Sequence, residues 1–249
     1  MAAAAERPVV LLHGCGGTRE STFVATGWVA ALSDAGRSSI ALHLPGHGTH
    51  SASRNPESYA DLAGLLTPEL PAGVFDVVGF SLGAKLALEL AIRMPERIGR
   101  LALGGIGDNV FAPESIAGAV ALALERGATP ETPAPVLAFL ETWEPARNDA
   151  VAIAAVLRRP PNPTFTEERL RRIVAPVLVV NGAEDPVARH WDRLMSGLTD
   201  ATWVTLPGVD HFGLPAQAAF MRHAVDFLQH PEIGRGGDGQ GGHGAGART

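Results

Sequence analysis

Cysteine is almost absent: Cys15 is the single thiol in 249 residues. That excludes an internal disulfide, so stability has to come from a packed core, and the usage fits a reducing compartment. Charge is also scarce, at 18% of the chain, and no basic run occurs. With a formal net charge of −6, nucleic acid and anionic membrane surfaces are disfavoured as main partners. No stretch approaches the roughly 20 apolar residues of a spanning helix. The start, Met1–Pro8, places Glu6 and Arg7 directly behind a short alanine run and lacks the apolar region of a signal peptide. The expectation is a soluble, cytoplasmic protein that acts on a small molecule, with no nucleic acid and no membrane as partner. Oligomeric state is left open.

Hydrophobic residues are plentiful, at 46%, together with 29 glycines and 19 prolines. This length and composition fit one large α/β domain with an inserted subdomain better than two separate domains. The end, Gly234 to Thr249, reads GRGGDGQGGHGAGART. It has no apolar periodicity and is expected to be a disordered tail.

The informative stretch is Phe75–Gly83, FDVVGFSLG. Val77 and Val78 suit a buried strand over Phe75–Gly79. Leu82, Leu86 and Leu90 then recur at helical spacing as far as Arg93. Ser81 therefore stands where a strand turns sharply into a helix, flanked by Gly79 and Gly83 as G-x-S-x-G. Residues without Cβ let strand and helix pack closely beneath a strained turn. The turn lifts the serine Oγ clear and points a helix N-terminus, with its free N–H groups, toward it.

Elsewhere, strands are expected at Val9–Leu12, Ser39–Leu44, Leu101–Leu103, Val177–Val180 and Thr202–Leu206. Helices are expected at Trp28–Ala35, Pro56–Leu66, His190–Leu198 and Ala216–Gln229. The alternation implies a mostly parallel sheet of about six strands with helices on both faces. Ligands bind such sheets at the carboxyl ends of the strands, where His13, Ser81, Asp108 and Asp185 all fall. Between Asp108 and Arg172 the alternation stops. Helices near Pro113–Arg126, Pro135–Trp143, Asn148–Arg158 and Thr166–Ile173, with no strand between them, predict an inserted helical cap over 108–172. The core is then 1–107 with 173–233.

The segments VVLLHGCGG, LPGHG, VVGFSLGAKLALELAIRMPERIGRLAL, APVLVVNGAEDP and LPGVDHF together resemble the α/β-hydrolase superfamily, over Val9 to Leu228. The resemblance implies that fold, with two departures. The strand pair that usually precedes the HG strand is expected to be missing, since only Met1–Pro8 comes before Val9. His43 stands where the family often has Asp.

A serine needs a base within reach, and the base needs an orienting carboxylate. The family order is serine, acid, histidine, which assigns Ser81 as nucleophile, Asp185 as acid and His211 as base. Glu184 and Asp108 are the competing acids, while Asp210 is expected to be a turn residue. His13 is implied to be structural. His43, His47 and His50 lack the carboxylate or thiol that would complete a metal-ligand pattern, so neither metal nor cofactor is expected. The backbone N–H groups of Cys15 and Leu82 are the implied oxyanion donors, with the Cys15 side chain as a small apolar wall. In the cap, Phe111, Phe139 and Trp143 are the expected substrate-binding residues, with Ile116, Val120, Leu140 and Val156 as further apolar candidates. The function implied is hydrolysis of an ester, thioester or lactone of a small, largely apolar substrate through an acyl-enzyme. The competing class is a protein of the same fold that binds a ligand or assists a non-hydrolytic biosynthetic step.

Overall fold

A computed structural model describes residues 7–48, 52–112, 116–160 and 165–229. Six strands form one parallel sheet: β1 (Val9–Leu12), β2 (Ser39–Leu42), β3 (Phe75–Phe80), β4 (Ile98–Gly104), β5 (Val177–Gly182) and β6 (Ala201–Leu206). Their spatial order is β2-β1-β3-β4-β5-β6. The chain starts beside the middle of the sheet, steps outward to β2, then crosses back over β1 to β3. The direction of winding therefore reverses between β1 and β3, which pair through Val9–Asp76 to Leu12–Gly79. A crevice opens at such a reversal beyond the strand ends.

Period-two alternation sorts the strand side chains onto two covered faces. Val10, Leu12, Val77, Leu101, Leu103, Val177 and Val179 share one core. Val9, Leu11, Val78, Phe80, Leu178 and Val180 share the other. The first face is covered by α2 (Leu62–Leu66) and α3 (Leu82–Arg93). The second is covered by α1 (Trp28–Asp34) and by a helix at the described C-terminal end, which brings Phe220, Ala224 and Phe227 against Trp28 and Leu32.

Three helices follow β4: α4 (Ala117–Arg126), α5 (Ala134–Thr142) and α6 (Ala150–Leu157). They pack on one another, α4 against both α5 and α6. Val120, Ala123, Val136 and Phe139 form a small core of their own. Next comes α7 (Glu167–Leu170), then after β5 α8 (Asp192–Gly197), and after β6 the last helix, α9 (Ala218–Gln229). By contrast, α7 packs against α8 and α3, with Leu170 in the core of the sheet, which α6 also reaches through Ala155 and Val156.

Several boundaries differ from the sequence reading for local reasons. β2 stops at Leu42 rather than Leu44 because the Leu44 N–H donates to His13 Nε2 at 3.1 Å instead of continuing the ladder. The helix expected over Pro56–Leu66 is two pieces. A 3-10 turn at Pro56–Tyr59 is capped by Asn55, and Asp61 starts α2 by accepting from the Gly64 N–H at 3.0 Å. The helix expected from Pro113 is described from Ala117. Residues 113–115, His50 and the Gly-rich tail lie outside the described residues. α3 is buried well beyond the expected leucine stripe: Ala84, Ala87, Leu88 and Ala91 are as inaccessible as Leu86 and Leu90.

Candidate active site

β3 ends at Phe80 and α3 begins at Leu82, so Ser81 alone makes the turn, at φ 53° and ψ −112°. A positive φ on a residue with a Cβ is strained. The Ser81 N–H donates to the Gly104 carbonyl at 2.8 Å, which ties the strained residue to β4. The flanking glycines are sterically required. A Cβ on Gly83 would lie 2.1 Å from the Leu12 carbonyl oxygen, and one on Gly79 would lie 2.8 Å from the Gly83 oxygen. Both clashes are with backbone, which cannot swing aside.

His211, in the loop between β6 and α9, reaches this serine. Its Nε2 is 3.1 Å from Ser81 Oγ, and its Nδ1 is 2.7 Å from Asp185 Oδ2. An ionised carboxylate only accepts. Nδ1–H therefore donates to Asp185, and Nε2 presents its lone pair to the serine hydroxyl. Asp185 and His211 are both buried. Burial alone would raise the Asp185 pKa. The hydrogen bond and charge of His211, together with the Ala188 and Val187 N–H groups, outweigh it and hold the carboxyl below its ordinary value. Those two N–H groups donate to Asp185 Oδ1 at 2.9 and 2.7 Å. With one oxygen fixed by backbone, the other faces the imidazole. Such a line of groups can take a proton from a hydroxyl as that hydroxyl attacks.

The loops carrying acid and histidine are stitched together by backbone. Ala183 N–H donates to the Leu206 carbonyl at 2.8 Å and Glu184 N–H to the Val209 carbonyl at 3.0 Å. Asn181, buried at the end of β5, ties that strand to the loop after β4. Its Oδ1 accepts from Gly105 N–H at 2.8 Å, and its Nδ2 donates to the Ile106 carbonyl at 2.6 Å. Phe80 packs against the His211 ring at 5.1 Å between centroids. The sequence reading passed over Asn181. Its position at the end of a core strand, just before the acid loop, was the available signal.

The competing groups are occupied elsewhere. Glu184 is exposed. Asp108 Oδ1 accepts from the Leu194 N–H at 2.8 Å, inside the first turn of α8. Asp210 accepts from the Gly213 N–H at 2.7 Å and shapes a turn. His13 is fully buried. Because its Nε2 accepts from Leu44, its Nδ1 carries the proton and donates to the Gly14 carbonyl at 2.8 Å. Burial, then the neighbouring His47, push its pKa well below the ordinary histidine value. His47 Nε2 accepts from the Gly16 N–H, and His43 Nε2 lies 3.4 Å from Glu20. Among the described residues no group of three or more His, Cys, Asp or Glu is arranged to hold a metal ion.

The loop Gly14–Gly17 after β1 lies beside the serine, with a Cβ on Gly14 falling 3.4 Å from Ser81 Cβ. Within the loop, Gly16 N–H is committed to His47 and Gly17 N–H to the Gly14 carbonyl at 3.3 Å. Leu82, as the first residue of α3, has an N–H with no partner inside its helix. Phe139 of α5 covers the loop closely, its Cζ 2.6 Å from where a Gly16 Cβ would stand. Trp143, Cys15 and Phe212 pack on the same small core as Phe139. Phe111 is apart from them. It packs on the sheet's core under the Arg193 guanidinium, 4.0 Å above its ring. A cavity of about 170 Å³ is lined by Gly14, Cys15, Phe80, Thr142, Glu144 and Phe212 among others, the chain neighbours of Ser81 and His211 included.

With this geometry in place, the relatives are informative. The model of the alpha/beta hydrolase family matches residues 9–224, and the chain belongs to that family. It is 39% identical over 101 residues to esterase Rv0045c of Mycobacterium tuberculosis, a match covering 38% of this chain and 31% of the relative's length. The enol-lactonase of Burkholderia xenovorans LB400 superposes with a TM-score of 0.72 at 23% identity, over 92% of this chain and 94% of that one. A thermophilic esterase from Thermogutta terrifontis does so with a TM-score of 0.66 at 20% identity, over 91% of each chain. These two likenesses establish the shared fold.

Proposed function

We propose that this chain is a serine hydrolase that cleaves an ester, thioester or lactone of a small, largely apolar substrate through an acyl-enzyme. The observation that carries the reading is the continuous line from Ser81 Oγ through His211 to Asp185, at 3.1 and 2.7 Å. In this reading His211 Nε2 takes the Ser81 proton as Oγ attacks the carbonyl carbon. The tetrahedral oxyanion is held by the Leu82 and Cys15 N–H groups. His211 then returns the proton to the leaving oxygen or sulfur. A water, deprotonated by the same imidazole, releases the acid and restores Ser81. Asp185 fixes the tautomer throughout and stabilises the imidazolium.

Helices α4–α6 act as a cap, and α7 belongs with the core helices it packs on. Phe139 and Trp143 are the better candidates for an apolar substrate wall, because they share a cluster with Cys15 and Phe212. Phe111 is the weaker one, since it stacks under Arg193. No described helix is long and apolar enough to cross a membrane.

The test is turnover of p-nitrophenyl esters of graded chain length. Ser81→Ala is expected to abolish it with the fold intact. Wild-type rates in that variant would refute the mechanism. Failure of the well-folded wild type to react with a fluorophosphonate would instead favour a ligand-binding role.

A further inference from the structure

Gly16 is held from both sides by side chains that the mechanism above does not use. Its N–H donates to His47 Nε2 at 3.0 Å. Its carbonyl accepts from Asn148 Nδ2, also at 3.0 Å. Asn148 Oδ1 in turn accepts from the Gly48 N–H at 2.9 Å. His47 Nδ1 faces the Pro45 carbonyl at 3.1 Å, so Nδ1 donates there and Nε2 is left as the acceptor for Gly16. Asn148 and His47 are both buried. Three separate pieces of chain meet here: the loop after β1, the loop after β2, and the segment just ahead of α6.

The two bonds on Gly16 act on different peptide planes. The N–H belongs to the Cys15–Gly16 peptide, and the carbonyl to the Gly16–Gly17 peptide. Fixing both planes fixes Gly16 at its φ of 78° and removes freedom from Cys15, whose own N–H is the proposed oxyanion donor. An oxyanion hole works only if its donors are already aimed when the charge develops. Losing the grip on Gly16 leaves the donor in place and lets it wander.

We propose that Asn148 is a positioning residue that latches the cap to the oxyanion loop, so that the Cys15 N–H is aimed only while the segment leading into α6 is docked. This rests on the serine-hydrolase reading of the site. The alternative is that Asn148 only anchors α6 and leaves the chemistry untouched.

The experiment measures kcat and KM on a p-nitrophenyl ester for wild type, Ser81→Ala and Asn148→Ala, together with inhibition by phenylboronic acid. In the boronate, Ser81 Oγ adds to the trigonal boron, its proton passes to His211, and a boron-bound oxygen occupies the oxyanion position. Binding of a non-hydrolysable ether analogue of the ester reports ground-state affinity. Asn148→Ala is expected to lower kcat about 10- to 100-fold, less than or equal to the loss for deleting a donor outright. Boronic acid affinity should fall by a similar factor, while KM and ether binding stay within about twofold. Asn148→Ser, which keeps a short donor, is expected to recover part of the loss; if Asn148→Ala does not fold, this variant is compared with wild type by the same readouts. Unchanged kcat and boronic acid affinity would overturn the proposal, as would equal losses for boronic acid and ether. If wild-type turnover does not depend on Ser81, the serine-hydrolase reading fails and this proposal falls with it. If turnover depends on Ser81 and Asn148→Ala leaves it unchanged, only this proposal fails.

Discussion

Asp185 divides its two oxygens between two tasks. Oδ1 is saturated by the Val187 and Ala188 N–H groups, which sets the carboxylate's orientation, and Oδ2 alone meets His211. Asparagine in its place can present an amide N–H to Nδ1, which favours the wrong imidazole tautomer. Asp185→Asn is therefore expected to lower kcat by roughly 10⁴, read from ester turnover. Asp108→Asn should change it by less than about threefold, because Asp108 meets a helix N–H whose loss costs local stability. The reverse ranking would move the acid to the loop after β4. The residues of this relay were legible in the sequence because each lies just beyond a strand in a local motif. Asn181, His47 and Asn148 were not legible as partners. Each bonds to backbone groups that arrive from distant loops, and no spacing in the sequence encodes such a meeting. The sequence reading also grouped Phe111 with Phe139 and Trp143, since three aromatics in one helical region look alike until Arg193 is seen over the first.

At the scale of elements, the elbow is set by the close crossing of β1, β3 and α3. Gly83 meets the Leu12 carbonyl with no room for a methyl. Gly83→Ala is expected to destabilise the protein by about 1–3 kcal/mol, as overpacking does. It should also depress ester turnover, because relief of the clash shifts Ser81 relative to His211. Denaturant titration and turnover on the same sample check this; a variant equal to wild type in both would mean the elbow is looser than its geometry implies. The strands were readable from apolar runs; β1 matched, β2 was expected two residues too long, and β3 to β6 were short by one to three residues at an end, where pairing depends on the neighbouring strand. Helix starts were less readable. Asp61, Asp149 and Thr166 each accept an N–H of the following helix and so set where α2, α6 and α7 begin, in each case later than the sequence alone indicated. The assignment of α7 was beyond reach of periodicity, because four residues carry too little pattern to say which neighbour they cover.

For the whole molecule, the site sits at one end of the sheet and a buried ion pair closes the other. Arg37 Nη2 donates to Asp76 at 2.5 Å, and the same guanidinium reaches the Leu228 and Arg7 carbonyls, tying α9 to the start of β3. Stability should also depend on pH through His13. Its folded pKa lies well below the ordinary histidine value, whereas the unfolded chain titrates near about 6.5. Below that pH the unfolded state takes up a proton that the folded state refuses. Stability is thus complete above about 6.5 and is lost as pH falls toward the folded value. The groups facing His13 are His47 and His43, with Glu20 beside His43. Thermal midpoints are expected to fall between about pH 7 and pH 5, and His13→Asn should flatten that slope; an equally steep fall in the variant would assign the loss elsewhere. The fold class and the strand count were visible in the sequence, because hydrophobic alternation reports them locally; three short motifs likewise pointed to Ser81, Asp185 and His211, which the fold brings within hydrogen-bond distance. How α4–α6 lie over the loop after β1 was not visible, since no local pattern encodes that packing.

The central claim is that Ser81 becomes acylated. Rapid acid quench of the enzyme with a slowly deacylating p-nitrophenyl ester, followed by peptide mass spectrometry, measures this directly. The account predicts one acyl mass added to the peptide containing Ser81, a burst of p-nitrophenol stoichiometric with enzyme, and neither in Ser81→Ala. An acyl adduct on another residue, or turnover with no adduct and no burst under conditions where deacylation is slow, would contradict it.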